Sequence, residues 1–439
     1  MDISALKISG ILFAISSIME KVYNRSIPES SNLYRIFYQY YDQYEIQYPI
    51  LYEKEYGYFR KAISKAVCKY LDCGILENGM ARVRCPKCCQ DYFIAFSCKA
   101  RNICPSCSQK RTLLLSDWIL NNVLENVPHR QWVFTVPKIL RKLFYKDRKL
   151  LSQMARCASE TIVELYRALY QEAKPGIVLS IQTFGDLLIW HPHIHCLVTD
   201  GVFDQDNCFH PVPAIDTEKA VIIFREKIFN ILRKNLRISE ALISNMRNWK
   251  YTGFSVHNKV YISENNNKGI LQLAEYILHS SFSSEKIRCS DKSENIIYRS
   301  KMHKGKNRNF EILNPIEFIH RICLHIPDRY ESLIRYYGYY SNASRGKRKK
   351  ESQKELKISD DTIDIRSARK TWAMLIHKVY EVDPLLCPKC GSEMKIIAFI
   401  QARSEIIKIL RHLGLYPTRK PEPIKERASP YQRHLTNTL

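Results

Sequence analysis

The chain has 439 residues, with 68 Lys and Arg against 44 Asp and Glu and a formal net charge of +24. That length allows roughly two to four domains with a sizeable core, the charge suits a polyanionic partner such as DNA or RNA, and no G-x-x-x-x-G-K-[ST] loop supports nucleotide hydrolysis. Fifteen cysteines, several of them in C-x-x-C pairs, point to metal binding in a reducing compartment and away from a disulfide framework.

The apolar run Ile8–Met19 is too short to span a bilayer. It lacks the basic leader and small-residue cleavage site of a secretion signal. It reads as a packing helix, and a cytoplasmic protein without a membrane partner is expected. Residues 1–72 read as helical, with Tyr34, Tyr38, Tyr41 and Tyr44 as a core stripe at helical spacing. Tyr58–Leu71 reads as an amphipathic helix. A zinc-binding segment is expected over 73–125. Cys85-x-x-Cys88 and Cys104-x-x-Cys107 each place two thiolates on one side of a cation. Together they are expected to close one tetrahedral Zn²⁺ site at about 2.3 Å per Zn–S bond. Cys89 and Cys98 can each replace a neighbouring ligand or serve a second site, and Cys89 reads better as a buried or free thiol. Lys99, Arg101, Lys110 and Arg111 flank the knuckles and are expected to grip DNA phosphates.

Residues 126–342 mix strands and helices. Gln131–Val136 reads as a strand, Lys138–Gln171 as one long helix or two, and Ile177–Thr183 as a strand. Phe184-Gly185-Asp186 reads as a turn. The next strand carries His193 and His195 on one face and Ile194 and Val198 on the other. Two imidazoles roughly 6.5–7 Å apart along a strand can share a metal ion. Pro192 holds His191 extended and is expected to end the strand there. Ala220–Leu236 reads as helical and Phe254–Ile262 as extended. A helix over Ile270–Ser280 carries Tyr276. Tyr336 and Tyr340 are four apart in RYYGYY, but Gly338 interrupts that segment, and packing or base stacking is the better reading. Residues 343–364 read as a charged linker whose Arg345–Lys350 run suits phosphates. In the C-terminal segment 365–439, Ile365–Tyr380 reads as an amphipathic helix. Cys387-x-x-Cys390 is a further knuckle with no second pair after it, and one pair cannot complete a site by itself.

The stretch TFGDLLIWHPHIHCLVTDG at 183–201 resembles the HUH (His, hydrophobic, His) segment of rolling-circle insertion-sequence transposases with an N-terminal zinc-binding domain. FSCKARNICPSC at 96–107, QWVFTVPK at 131–138, GFSVHNKV at 253–260, HIPDRYESLIRYYGYYSN at 325–342 and DPLLCPKCGSEMKIIAFI at 383–400 follow the same family in the same order. The resemblance runs from about residue 60 to about residue 415, and Cys73 stands where the family often has cysteine. It implies an α+β fold: a helical and zinc-ribbon-like N-terminal module, an HUH-nuclease domain and a small C-terminal knuckle segment. In the nuclease domain an antiparallel sheet carries helices on one face. It also implies a transposase that nicks and rejoins single-stranded or hairpin DNA at element ends through a 5′-phosphotyrosine, with Tyr276 as nucleophile. Mg²⁺ or Mn²⁺ would sit on His193 and His195, with His191, Gln272 or His279 as third ligand. Many members carry two tyrosines four residues apart. Here Gln272 stands at the first position, which leaves a single-tyrosine site. Joining a second strand then calls for a homodimer or for reuse of Tyr276. Two alternatives are a replication initiator or relaxase of the same chemistry, and a non-catalytic zinc-dependent DNA-binding protein.

Overall fold

A computed structural model describes residues 28–213, 215–289, 294–300, 309–355, 387 and 389–416. The helices expected at Ile8–Met19 and Ile365–Tyr380 lie outside the described residues. The elements that matter below begin with α1 (Asn32–Leu51), α2 (Lys61–Leu71), β1 (Met80–Arg84), β2 (Asp91–Ala95) and α3 (Pro105–Asn122). They continue with β3 (His129–Thr135), α4 (Lys138–Lys146), α5 (Lys149–Arg167), β4 (Gly176–Phe184), β5 (Trp190–Thr199) and α6 (Thr217–Lys234). Then come β6 (Ser255–His257), β7 (Tyr261–Ile262), α7 (Asn267–Leu278), α8 (Pro315–Leu324), β8 (Ile334–Gly338), α9 (Asn342–Glu355), β9 (Lys395–Ile400) and α10 (Arg403–His412). The mixture of helices and antiparallel sheets is α+β, as the sequence leads one to expect. Two compact units cut across the expected 73–125 segment. One takes residues 27–73 and 97–383; the other, among the described residues, is built from Gly74–Phe96 and the chain beyond Cys387.

The larger unit is organised on an antiparallel sheet ordered β8-β4-β5-β3-β6, with β7 also on β3. Period-two alternation in β3, β4 and β5 sorts their side chains. Trp132, Phe134, Ile177, Leu179, Ile181, Ile194, Cys196 and Val198 enter one core with Met154 and Ile162 of α5 and Phe224 and Ile228 of α6. The other face is polar at one end and apolar at the other. Its apolar end, Val178 and Leu197, packs with Ile119 of α3, Ile270, Leu273 and Ile277 of α7, and Tyr340. Helices therefore cover both faces, not one, because the apolar Val178–Leu197 pair on the second face also needs cover.

β5 begins at Trp190 and runs through Pro192, so the proline does not end it. The partners Gln182↔His193 and Phe184↔Trp190 show the reason: β5 carries an extra residue there, and a bulge has no ladder bond for the missing N–H to make. The expected linker at 343–364 is helical as far as Glu355. Tyr340 is fully buried; its hydroxyl donates to His129 Nε2 (3.0 Å) and accepts from the Glu125 N–H (3.1 Å). This is packing, as RYYGYY suggests. Gly338 is required just before it, since at φ +58° a Cβ would meet the Pro175 carbonyl oxygen at 1.9 Å. In α1, capped by Ser31, Tyr34, Tyr41 and Tyr44 of the expected stripe are buried, but Tyr38 is exposed and not part of the core.

The smaller unit has a three-stranded antiparallel sheet ordered β9-β1-β2. β9 joins β1 from Met80↔Ile400 to Arg84↔Lys395, and α10 lays Ile406 and Leu410 on Leu76 and Met80. Among the described residues no helix is long and apolar enough to cross a membrane.

Candidate active site and cysteine clusters

The polar end of the second sheet face holds the histidines. Cross-strand register sets His195 beside Ser180 and Val133, and His193 beside Gln182 and Thr135. The rings of His193 and His195 lie 4.9 Å apart, and His191 lies 5.1 Å from His193. The His193 Nδ1–H donates to the His191 carbonyl at 2.7 Å, which leaves Nε2 with a free lone pair. The Gln131 amide lies 3.0 Å from His195 Nδ1. As placed, the Gln131 amide nitrogen donates to Nδ1; turned over, its carbonyl oxygen would accept the Nδ1–H and free Nε2 for a ligand. His191 Nε2 is buried without a hydrogen-bond partner. Burial pushes all three imidazoles down, His191 and His193 to about 4 and His195 to about 3. They are neutral at pH 7, the state a metal ligand needs. Arg141 beside His191 and His193 pushes the same way.

Tyr276 projects from α7 towards this row. Its ring meets the His195 ring edge-on at 5.7 Å and stacks on His279 at 5.3 Å. The side chain is 55 % exposed. α7 starts at an Asn266 cap that accepts from the Gly269 N–H (2.9 Å). Its last turn is pinned by two donors, Gln182 Nε2 to the Ile277 carbonyl (2.7 Å) and the Thr112 hydroxyl to the Leu278 carbonyl (3.0 Å). Gln272 is exposed one turn before Tyr276, on the same helical face. Gln131, Gln182 and Arg141 are the residues the sequence reading missed. Their only signal is a polar side chain at an inward-alternating strand position, or a basic one at the start of a helix.

The cysteines pair differently from the expectation. Cys85, Cys88, Cys104 and Cys107 do not form one cluster. Cys104 and Cys107, at the start of α3, gather with Cys73, which follows α2, and Cys98. Their sulfurs stand 3.6–3.7 Å apart for Cys73–Cys107, Cys98–Cys107 and Cys73–Cys104. Cys85 and Cys88 gather instead with Cys387 and Cys390. The physical cause is the pairing of β9 with β1, which brings the C-terminal knuckle to the first one. Cys89 is exposed and outside both sets. Among the described residues, these cysteine sets alone bring three or more ligand atoms within 4.8 Å of one another; the histidine row does not.

The basic residues also divide. Arg101 is not free to hold phosphate: its guanidinium donates to the Asp328 carbonyl (2.7 Å) and the Glu331 carbonyl (2.5 Å) and ties the cysteine loop to the segment after α8. Lys110 is half-buried, and Lys99 and Arg111 are exposed. Arg111 lines a cleft with Gln182, Phe184 and His279.

Residues 176–348 match the family described as "Putative transposase", and residues 36–136 match the family described as "Transposase zinc-binding domain". The chain is similar to the "Transposase for insertion sequence element IS801" of Pseudomonas savastanoi pv. phaseolicola, 25% identical over 363 residues, which is 79% of this chain and 86% of the relative. It is also similar to the "Putative transposase y4qJ" of Sinorhizobium fredii (strain NBRC 101917 / NGR234), 25% identical over 284 residues, 58% of this chain and 69% of the relative. No solved structure matches. The zinc-binding match precedes the transposase match, and the chain carries both domains of an insertion-sequence transposase. Zn²⁺ is the cofactor that the zinc-binding match and the cysteine clusters support.

Proposed function

We propose that this transposase nicks and rejoins single-stranded DNA at the ends of its element through a 5′-phosphotyrosine on Tyr276. The observation that carries the reading is the half-exposed Tyr276 ring held 5.7 Å from His195 by a helix whose last turn is tied to the sheet. The Tyr276 hydroxyl gives up its proton as its oxygen attacks the scissile phosphorus, a new O–P bond forms, the 3′ O–P bond breaks, and the leaving oxygen takes up a proton to become a 3′-OH. Because the bond energy is kept in the phosphotyrosine, a 3′-OH can later reverse the step and join a strand.

His193 and His195 would hold Mg²⁺ or Mn²⁺, and imidazole favours Mn²⁺ of the two. The donor set fits: His193 with a free Nε2 lone pair, His195 neutral beside it, and His191 Nε2 buried and unpartnered. When bound, the ion supplies Lewis-acid stabilisation of charge on the phosphate oxygens. Gln131 keeps the His195 ring in one orientation. Gln182 and Thr112 fix the height of Tyr276 over the histidines. Arg111, exposed in the cleft beside His279, meets phosphates of the bound strand. The exposed Gln272 leaves one tyrosine per site, so joining a second strand draws on a second protomer or on Tyr276 reused.

The test is a nicking assay on labelled single-stranded end fragments with Mn²⁺. Tyr276→Phe is expected to bind the strand and form no covalent adduct. Wild-type protein that binds tightly and never nicks would favour a non-catalytic DNA-binding role.

A further inference from the structure

The knuckles at Cys85–Cys88 and Cys387–Cys390 are built to one plan. In each, the first cysteine donates its N–H to the carbonyl five residues on: Cys85 to Gln90 at 2.9 Å, Cys387 to Ser392 at 2.8 Å. In each, the N–H four residues on returns to the first cysteine's carbonyl: Cys89 to Cys85 at 3.0 Å, Gly391 to Cys387 at 2.8 Å. In each, that residue has a left-handed backbone, φ +57° at Cys89 and +68° at Gly391. Cys89 thus fills the turn position that glycine fills in the other knuckle, and its side chain points to solvent.

The two knuckles face each other. Cys85 Sγ lies 3.5 Å from Cys390 Sγ, and Cys88 Sγ lies 3.4 Å from Cys387 Sγ. All four sulfurs fall within 4.8 Å of one another. A disulfide needs about 2.05 Å, while sulfurs around tetrahedral zinc stand about 3.8 Å apart for 2.3 Å bonds. Val83 and Met394 are buried against the cluster, with Tyr92, Ile94 and Ile396 around it.

We infer that Cys85, Cys88, Cys387 and Cys390 form a second structural zinc site, a clasp whose outer ligands, Cys85 and Cys390, are 305 residues apart in the chain. Half of its ligands lie outside both matched domains. Each thiol gives up its proton to solvent as the metal binds. The two apolar clusters on the sheet are both small, so burial contributes little to holding its three short strands. Pairing β9 with β1 also closes a very long loop. Zinc therefore supplies folding free energy directly, and its removal releases β9 from β1.

The experiment is zinc stoichiometry on the full chain, with iodoacetamide mapping of the cysteines. Two zinc ions per wild-type chain are expected. Cys387→Ser with Cys390→Ser is expected to keep one and to make Cys85 and Cys88 reactive. Cys85→Ser with Cys88→Ser is expected to do the same to Cys387 and Cys390. Cys89→Ser and Cys390→His are expected to keep two. One zinc in the wild type, two in the Cys387/Cys390 variant, or Cys387 and Cys390 still protected when Cys85 and Cys88 are replaced would overturn the site. Should a double variant fail to fold, Co²⁺ substitution of the wild type decides: thiolate-to-cobalt absorption for eight thiolates per chain supports the clasp, and absorption for four overturns it.

Discussion

His195 and Gln131 show what one side chain can and cannot reveal. The alternation at 193 and 195 was legible because period-two geometry needs only the local sequence. Gln131 was not, because it reaches His195 from another strand, 64 residues away. Removing an outer partner of a metal-ligating imidazole costs roughly 10- to 100-fold in metal affinity or activity. Gln131→Leu should therefore raise the Mn²⁺ concentration needed for nicking by that factor, with saturating Mn²⁺ restoring much of the rate. An unchanged Mn²⁺ titration would contradict the role. The fully buried His129, His320 and His325 give a pH prediction. Burial pushes His129 down to about 4 and His320 and His325 to about 3. Unfolded, they titrate near 6.5. As pH falls below about 6.5 the unfolded chain binds protons that the folded chain refuses, so stability falls with pH down to about 3–4. Each histidine contributes a slope of up to about 1.4 kcal/mol per pH unit. Urea midpoints should drop clearly between pH 7 and pH 5, and equal midpoints would contradict the burial.

At the scale of elements, the knuckles were legible and their partners were not. A C-x-x-C turn is written in four residues, but which turns meet is decided by β9 pairing with β1 and by α2 delivering Cys73 to the start of α3. The spacing of Cys88 and Cys104 favoured the wrong pairing because the true partners lie before and far after them. Cys73→Ser should therefore lower zinc content and melting temperature as strongly as Cys104→Ser, since thiolate coordination contributes folding free energy. A Cys73→Ser protein with full zinc and unchanged melting would return that role to Cys85 and Cys88. The bulge at Pro192 was hidden for the same reason, since it shows only in the partner strand's register. Helix α7 is tied to the sheet by one buried glutamine. Gln182→Ala leaves the Ile277 carbonyl without its donor, a cost of roughly 1–3 kcal/mol. Nicking should fall while strand binding stays near wild type, and a parallel loss of both would point to general unfolding.

For the molecule as a whole, composition spoke for a polyanion partner and the cysteines for metal, but no strand order follows from either. Sheet order depends on pairings such as β8 with β4, more than 150 residues apart. The +24 charge predicts binding to single-stranded end fragments that weakens steeply with salt. Each phosphate contact on a single strand contributes about 0.7 to the log–log slope, so four contacts give a slope near −3. A flat response between low and moderate salt would contradict a phosphate-led interface. Mass spectrometry of the trapped protein–DNA adduct shows whether one tyrosine per site, the one beside the histidine row, is the nucleophile. A single modified peptide is expected, with its nucleotide remnant on Tyr276, and none from Tyr276→Phe. A remnant on Tyr336 or Tyr340 would contradict this role of Tyr276 and move the chemistry to the segment that here packs against His129 and α3.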